Sequence, residues 1–216
     1  MDAPTITQPA RTGWPWWLVL VFVVAVPAAV TGLLVFHPAG GGTSLLGSGF
    51  HYYWLHIVLL FGFPLTAIVL VVLLRGLHRI EAWIARVAAF VYACAYGAYD
   101  ALAGITIAAY TMEAERAGSM EEAEAILAMR RPLSQTGIIG EFASSGRWAW
   151  VVATIAAAAA LHRAGVRLWT VLPLIASGYL LLVHDHTPRW GWTAFAALTV
   201  AALLVELVPR RERSRP

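Results

Sequence analysis

Histidine and aspartate are the residue types in this sequence that suit metal-ion or proton chemistry, and a few of them lie close together. His184 and His186 flank a single aspartate, and His56 lies in an aromatic stretch much earlier in the chain. Imidazole and carboxylate groups are ordinary ligands of zinc, iron and other transition metals. In an extended segment, residues two apart point to the same side, so His184 and His186 are expected to face one ligand together.

Asp100 lies in the middle of a long apolar run. An ionisable side chain inside a membrane costs about 2.5–3.5 kcal/mol on insertion scales, so such residues usually serve a function. Tyr96 precedes Asp100 by one helical turn and is expected to share its face. We predict that Asp100, with Tyr96 beside it, acts as a general base, a proton relay or a metal ligand. The alternative is a structural hydrogen bond across a helix interface.

Together, these residues predict one polar pocket with a divalent transition-metal ion bound by His56, His184, His186 and Asp100. A metal ion, a haem b or a relayed proton in this pocket would serve a redox, hydrolytic or transport role. A haem requires two histidines that face each other across the bundle, and His56 and His184 are the predicted pair. Cys94 is the single cysteine, which excludes an internal disulfide, a CxxC pair and a CxxCH haem attachment.

The composition places these residues in a membrane protein. Hydrophobic residues make up 60% of the 216 residues and charged residues only 12%, whereas a soluble domain carries about a quarter charged residues. Apolar runs of about 20 residues are long enough to cross the hydrocarbon core at about 1.5 Å per residue. We predict an all-α membrane protein, a bundle of about six transmembrane helices, over residues 14–36, 52–74, 87–110, 148–161, 168–183 and 190–208.

The other segments complete the predicted organisation. A cytoplasmic N-terminal segment, the transmembrane domain and a basic cytoplasmic tail occupy residues 1–13, 14–208 and 209–216. Residues 111–147 form the third, outer loop, which contains a short amphipathic surface helix over about 120–130. Ser119 and Glu122 match a capping box at the start of this helix, in which the Glu122 carboxylate returns to the Ser119 amide.

The arginines determine the predicted orientation. With the N-terminus inside, ten arginines fall on the cytoplasmic side and five outside, as the positive-inside rule requires. We therefore predict a multi-pass protein of the bacterial cytoplasmic (inner) membrane with both termini cytoplasmic. This orientation places five histidines at the outer face: His37, His51, His56, His184 and His186. Basic residues in short loops form no continuous stripe for phosphates, so the predicted partner is the lipid bilayer and not a nucleic acid.

A second hypothesis is a non-catalytic membrane component, either an accessory subunit or a small permease, with no metal site. Gly97 and Gly104 share the Asp100 face of the third helix, and small residues let another helix approach closely. This small-residue face is therefore the predicted surface of a homo- or hetero-oligomer. The inverted repeat that many permeases carry is not visible in the sequence.

A third, remote hypothesis is an intramembrane serine protease. Ser144, Ser145 and Gly146 precede the fourth predicted span, and with six helices this layout resembles that of rhomboid proteases. The resemblance is incomplete, because Ala143 replaces the first glycine of the family's GxSG motif and Leu60 replaces its second-helix asparagine. The sixth predicted span also contains no histidine in the position of the family's catalytic base.

Three short motifs resemble a family of small polytopic bacterial membrane proteins. They are HYYWLH at residues 51–56, YxxxDxxAG at residues 96–104 and HxHxPxxG at residues 184–191. These motifs contain the histidines and the aspartate of the predicted pocket. The resemblance implies a polytopic helical fold and no particular activity.

Overall fold

The computed structural model describes residues 15–38, 42–186 and 189–209. Within these ranges the chain is helical and contains no β-strand, which confirms the predicted all-helical fold. The helices are α1 (Trp16–Val35), α2 (Gly49–Leu73), α3 (Ile80–Tyr99), α4 (Thr106–Ala114), α5 (Met120–Ala128), α6 (Arg131–Gln135), α7 (Ile138–Arg163), α8 (Leu168–His184) and α9 (Trp192–Leu207). A π-helical segment, Asp100–Ile105, joins α3 to α4, and a short 3-10 helix, Gly42–Leu45, precedes α2.

Three helical segments are long and apolar enough to cross a membrane, which indicates that the protein associates with one. They are α1, α2 and the continuous helix Ile80–Ala114, while α8 and α9 are shorter apolar helices. Large apolar side chains remain exposed along these helices, among them Val21, Phe61 and Phe90. An extended apolar surface of this kind is suited to contact with lipid.

The long helices pack in a closed ring around a common core. In order around the ring they are α1, α2, α3, α7, α8 and α9, and α9 returns to contact α1. The core between them contains large buried side chains such as Phe63, Trp150 and Phe195. α1 buries one stripe, whose members recur every three or four residues: Val19, Val23, Pro27, Val30 and Leu34. A helix with this spacing presents one face to the core and leaves the others for lipid.

Close contacts between helices depend on glycine. A β-carbon on Gly146 of α7 would lie 2.8 Å from the Tyr96 ring, and one on Gly178 of α8 would lie 2.3 Å from the Thr154 hydroxyl. α7 therefore approaches α3 and α8 closely, as small residues allow in membrane bundles. Gly97 differs, because a β-carbon there would meet no atom of another described segment within 4 Å.

Two helices are longer than the apolar spans predicted for them. The third predicted span, 87–110, lies inside the continuous helix Ile80–Ala114, and the fourth, 148–161, lies inside α7. Charged residues such as Glu81 ended the predicted spans, because hydropathy alone marks the part of a helix that suits hydrocarbon. The helix itself continues through Glu81, whose carboxylate pairs with Arg163 at the end of α7.

The surface helix predicted over 120–130 corresponds to α5. Ser119 caps α5, because its hydroxyl accepts a hydrogen bond from the Glu122 amide at 3.2 Å. The Glu122 carboxylate accepts a hydrogen bond from the Gly118 amide at 2.8 Å, so the predicted bond to the Ser119 amide is wrong by one residue. The pair still works in the manner of a capping box, because the side chains of Ser119 and Glu122 each accept a hydrogen bond from a backbone amide of the same turn.

Ion pairs hold one end of the ring, which we call the Arg75 end. Arg75, just after α2, donates two hydrogen bonds to the carboxylate of Glu206 on α9, at 2.6 and 2.8 Å. Hydrogen bonding to Glu206 raises the pKa of Arg75. At the same end, Glu81 of α3 pairs with Arg163 of α7. The opposite end, where α1 ends and α2 begins, contains His56 and is called the His56 end.

Candidate metal centre

Three imidazole rings meet at the His56 end. His37 follows α1, His56 lies on α2 and His186 follows α8. One ring nitrogen of each lies within 4.8 Å of the other two. The ring centroids are 5.1 to 5.9 Å apart. The fold therefore brings three metal-binding side chains from distant parts of the chain to one point, and we call His37, His56 and His186 the histidine cluster.

The spacing of the histidine cluster fits an ion with nitrogen ligands. Two nitrogens that bind one ion at about 2.0–2.1 Å in tetrahedral geometry lie about 3.3 Å apart. The Nε2 atoms of His37 and His56 are 3.2 Å apart, which matches this value. Because the nitrogens lie within 4.8 Å of one another, the third needs to move inward by about 1.5 Å at most to reach the same ion.

His37 and His56 are both anchored through Nδ1. His56 Nδ1 donates to Asp100 Oδ1 at 2.6 Å, and His37 Nδ1 donates to the Pro38 carbonyl at 2.8 Å. A carbonyl oxygen and an ionised carboxylate oxygen only accept, so these bonds place the proton of each ring on Nδ1. Each Nε2 atom then carries a lone pair that can bind an ion. Metal-bound histidines almost always donate their second N–H to a carboxylate or carbonyl oxygen in this way.

Asp185 anchors the third imidazole, that of His186. Asp185 Oδ1 accepts hydrogen bonds from the His186 amide at 2.8 Å and from the Tyr96 hydroxyl, while Oδ2 accepts one from the Tyr99 hydroxyl at 3.1 Å. His186 Nδ1 lies 2.9 Å from the Tyr96 oxygen and 3.2 Å from Asp185 Oδ1. The Tyr96 hydroxyl donates its proton to Asp185, so the Tyr96 oxygen and Asp185 Oδ1 can both accept a hydrogen bond from His186 Nδ1. This arrangement leaves His186 Nε2 available for an ion.

The backbone turns sharply at Asp185 and so positions His186. Asp185 has a φ of 55°, a region that aspartate enters more readily than most residues with a side chain. Gly191 passes directly against this turn, since a β-carbon on Gly191 would lie 2.3 Å from the His186 carbonyl carbon. Unusual backbone conformations persist where the surrounding structure holds them, and they cluster at functional sites.

Asp100 is the first residue of the π-helical segment and is fully buried. A β-carbon on Gly104 of the same segment would lie 2.1 Å from His56 Nδ1. The lack of a side chain at Gly104 therefore makes the space for the imidazole of His56. Single π-turns inside longer helices occur frequently at functional sites. Gly104, part of the predicted small-residue face, thus packs against His56 of α2.

Aromatic rings enclose the histidine cluster. The Tyr52 ring lies 4.4 Å from the His56 ring, and the Phe63 ring lies 5.4 Å from the His186 ring. His56 and His186 are buried, whereas His37 is only partly buried and forms the accessible edge of the cluster. In such an environment, electrostatic interactions and hydrogen bonds are stronger than in water.

The residues that follow α1 and α8 have shifted pKa values. Burial, with the neighbouring His186 and His56, lowers the pKa of His37 to about 3, so this imidazole is neutral near pH 7. Burial by itself would raise the pKa of Asp185, but the hydrogen bonds and charge of His186 outweigh burial and hold that pKa below its ordinary value. Burial opposes the charged form of His186, yet the adjacent Asp185 carboxylate raises the pKa of His186.

Four of the five predicted site residues lie together, namely His56, Tyr96, Asp100 and His186. The fifth, His184, is not among the three histidines whose ring nitrogens converge, and its ring centroid lies 6.4 Å from that of Trp190. The prediction for His184 assumed an extended segment, whereas α8 continues through His184. The turn at Asp185 then directs residues 184 and 186 to different surroundings.

Two residues of this site, His37 and Asp185, were not predicted from the sequence. His37 was placed at the same face of the membrane as His56, but a single histidine after an apolar run carries no spacing signal. Asp185 lies between two histidines, and its role becomes visible only once the turn brings its carboxylate to Tyr96 and Tyr99.

The haem and protease hypotheses have no matching geometry in the part of the chain that the structure describes. The His56 ring faces His37 and His186 at close range, whereas a haem would require a flat macrocycle between His56 and His184. Ser144 and Ser145 lie within α7, partly buried and exposed respectively. A serine protease of this kind would need a histidine within hydrogen-bonding distance of the serine, and no such pair occurs among the described residues.

Comparisons with known proteins give no information about the function of this chain. No protein-family model matches the chain, and neither a curated protein nor a solved structure is significantly similar to it. The function of the protein must therefore be inferred from the histidine cluster and from the apolar helices that carry it.

Proposed function

We propose that the protein is an integral membrane metalloprotein that binds one divalent transition-metal ion through the Nε2 atoms of His37, His56 and His186. One observation carries this proposal: three imidazoles from separate segments converge, and each Nδ1 is already hydrogen-bonded to an oxygen. Histidines that only fill space in a core do not need this common orientation. An ion that enters the cluster meets ligands that are already oriented by their neighbours.

The charges around the histidine cluster favour a divalent ion. Asp100 and Asp185 each accept a hydrogen bond from one imidazole of the cluster. Asp100 is fully buried and Asp185 is mostly shielded from solvent, and carboxylates without compensating charge are costly in a low-dielectric environment. A divalent cation bound by three neutral imidazoles balances two carboxylates, so the complete site has no net charge.

The donor set favours zinc among the divalent ions. Three imidazole nitrogens form a well-known zinc site, in which three protein ligands leave one position for water or substrate. The cluster contains no thiolate or thioether, the ligands that favour Cu(I). Because copper(II) binds nitrogen sites more tightly than zinc does, the metal in the cell also depends on availability. We propose zinc as the native ion and a catalytic rather than structural role for it.

We further propose that the six helices of the ring are six crossings of the bacterial inner membrane with both termini cytoplasmic. The closed ring of α1, α2, Ile80–Ala114, α7, α8 and α9 supports this arrangement, and so does the arginine distribution. The Arg75 end would then face the cytoplasm and the His56 end the outer side. Reporter fusions at both termini test the orientation, and an external C-terminus would contradict it.

Metal analysis of the purified protein tests the proposed function. The full chain is purified in detergent, loaded with zinc, freed of unbound ion by gel filtration and analysed by plasma mass spectrometry. We expect about one zinc per chain, and a loss of zinc affinity of at least about 100-fold for His37→Ala, His56→Ala and His186→Ala, because each removes a ligand. His184→Ala and His51→Ala are the matched controls and should retain zinc.

Two outcomes would contradict the metal site. Wild-type protein without stoichiometric zinc would do so, and so would equal zinc binding by the ligand variants and the controls. Circular dichroism and elution volume show whether each variant is folded.

A proton relay is the second candidate function. The buried hydrogen bond of 2.6 Å between His56 and Asp100 favours it, because a coupled imidazole and carboxylate can pass a proton. The two functions differ in their dependence on metal. Folded protein that binds no transition metal but loses proton flux in vesicles on Asp100→Asn substitution would support the relay instead.

A further inference from the structure

The two carboxylate oxygens of Asp100 have different surroundings. Oδ1 accepts a hydrogen bond from His56 Nδ1 at 2.6 Å and lies 3.9 Å from His186 Nε2. Oδ2 is buried and has no hydrogen-bond partner among the described residues. Buried polar atoms are almost always satisfied, and a buried carboxylate oxygen without a donor is especially unfavourable. Asp100 Oδ2 belongs to a carboxylate that contacts two residues of the histidine cluster through Oδ1, and it calls for a donor that the described residues do not supply.

We propose, resting on the metal centre proposed above, that Asp100 Oδ2 accepts the N–H of a bound secondary amide. The carbonyl oxygen of the same amide takes the fourth coordination position of the ion. Three protein ligands and one exchangeable position are the arrangement of catalytic zinc sites. A secondary amide carries the two required groups on adjacent atoms, a carbonyl oxygen for the ion and an N–H for the carboxylate. The inferred substrate class is thus an N-acyl compound.

The distances in the cluster suit this mode of binding. An ion about 2 Å from His186 Nε2 stands no more than about 6 Å from Asp100 Oδ1, because His186 Nε2 and Asp100 Oδ1 are 3.9 Å apart. The two oxygens of one carboxylate are about 2.2 Å apart, so Asp100 Oδ2 lies no more than about 8 Å from the ion. The path from an ion through a carbonyl group and an amide nitrogen to a hydrogen-bond acceptor is about 7.5 Å along its bonds. A trans amide, which directs its oxygen and its N–H to opposite sides, can therefore connect the ion with the carboxylate.

Other acyl or phosphoryl compounds fit the site less well. An ester has the carbonyl oxygen but no N–H, so Asp100 Oδ2 would remain without a donor. A phosphate ester carries one or two negative charges, which the carboxylates of Asp100 and Asp185 beside the cluster would repel. A neutral amide adds no charge to a site in which two carboxylates already balance a divalent ion.

Two hydroxamic acids that differ only at nitrogen test this inference. Acetohydroxamic acid retains an N–H and binds metal ions through its oxygens, whereas its N-methyl derivative lacks the N–H. Each is titrated into the cobalt-loaded full-length protein in detergent, and the visible cobalt spectrum reports binding. We expect the N–H compound to bind at least about tenfold more tightly, as a hydrogen bond to a charged acceptor would provide.

Asp100→Asn separates the bond to His56 from the proposed bond to the bound amide. The asparagine oxygen can still accept a hydrogen bond from His56 Nδ1, but its NH2 group replaces the acceptor Oδ2. The preference for the N–H compound should therefore fall to about twofold or less. Asp100→Ala is the second variant, because it removes the acceptor without adding a donor, and it should lose the preference as well. Glu115→Gln removes a negative charge at the same end without touching the cluster and should keep the full preference.

The outcomes distinguish this inference from the metal centre itself. Cobalt that fails to bind the wild-type protein overturns the metal centre and the amide site together. Bound cobalt with equal affinity for the two hydroxamic acids overturns the amide site alone. A preference that persists in both Asp100 variants also overturns it, because the preference would then arise from the size of the methyl group.

Discussion

The Arg75 end and the His56 end of the helix ring use polar and charged side chains in opposite ways. At the Arg75 end, Arg75 and Glu206 join through two hydrogen bonds and satisfy each other. At the His56 end, three imidazole nitrogens face one another, and Asp100 Oδ2 has no partner within the described structure. The first arrangement is complete as it stands, whereas the second becomes complete only with a cation and a hydrogen-bond donor.

This difference separates a structural use of polar residues from a ligand-binding use. An ion pair across two helices stabilises their packing, and its contribution is small when it is partly exposed. Among the convergent imidazoles, His37 and His56 can share one hydrogen bond through their Nε2 atoms, whereas a metal ion would bind the Nε2 atoms of all three rings. We therefore expect substitutions at the His56 end to change metal affinity and those at the Arg75 end to change only stability.

Gly104→Ala should have the largest effect on the metal centre. The added β-carbon would lie 2.1 Å from His56 Nδ1, so the imidazole must leave its position and its hydrogen bond to Asp100. We expect zinc affinity, measured by competition with a chelating dye, to fall at least about 100-fold. Gly97→Ala is the matched control on the same helix, where a β-carbon has open space. Equal zinc affinity in the two variants would show that His56 is not held as described.

Asp185→Asn should have the next largest effect. The substitution removes the charge of the carboxylate that anchors His186 and holds Tyr96 and Tyr99. Asparagine tolerates the positive φ at this position, so the turn should persist. We expect zinc affinity to fall about 10- to 100-fold, as for other residues that orient a metal ligand. Unchanged zinc affinity in the folded variant would show that Asp185 does not orient His186 for metal binding.

Tyr99→Phe should have a smaller effect at the same position. It removes one hydrogen bond of 3.1 Å to Asp185 Oδ2 and leaves the other bonds of that carboxylate in place. One hydrogen bond contributes about 1 kcal/mol, so we expect an about fivefold loss of zinc affinity. Isothermal titration in detergent measures this difference. A loss as large as that of Asp185→Asn would mean that Tyr99 contributes more than this single bond.

Glu206→Gln should have no measurable effect on the metal centre. The substitution weakens the ion pair with Arg75, and we expect a loss of about 1 kcal/mol in the free energy of unfolding. Chemical denaturation in mixed micelles measures the stability, and the dye competition measures zinc affinity on the same sample. A fall in zinc affinity of tenfold or more would show that the two ends are coupled. That result would contradict a purely structural role for the Arg75 end.

The sequence was sufficient to predict the all-helical fold, because long apolar runs dominate it. It also pointed to Asp100 and His56, because a carboxylate within an apolar run and a histidine beside aromatic residues are unusual. The lengths of the helices were underestimated where charged residues such as Glu81 continue a helix beyond its apolar part. Hydropathy measures which residues suit lipid, and backbone hydrogen bonding continues past that limit.

The geometry of the histidine cluster could not be predicted from the sequence. His37, which follows α1, contacts His56 of α2, and no periodic pattern in the sequence predicts such a contact. His184 and His186 separate because Asp185 turns the chain at the end of α8. A positive φ at aspartate depends on the surrounding contacts with Tyr96 and Tyr99, which only the folded structure provides.

X-ray absorption at the zinc edge of the purified, zinc-loaded protein reports the number of imidazoles that bind the ion. We expect one zinc per chain with three imidazole nitrogens at about 2.0–2.1 Å and one further light-atom ligand. The multiple-scattering signal that imidazole rings produce should weaken by one third in His37→Ala protein if zinc is still retained at high concentration. A spectrum with fewer than two imidazoles, or one that His37→Ala leaves unchanged, would contradict the proposed centre.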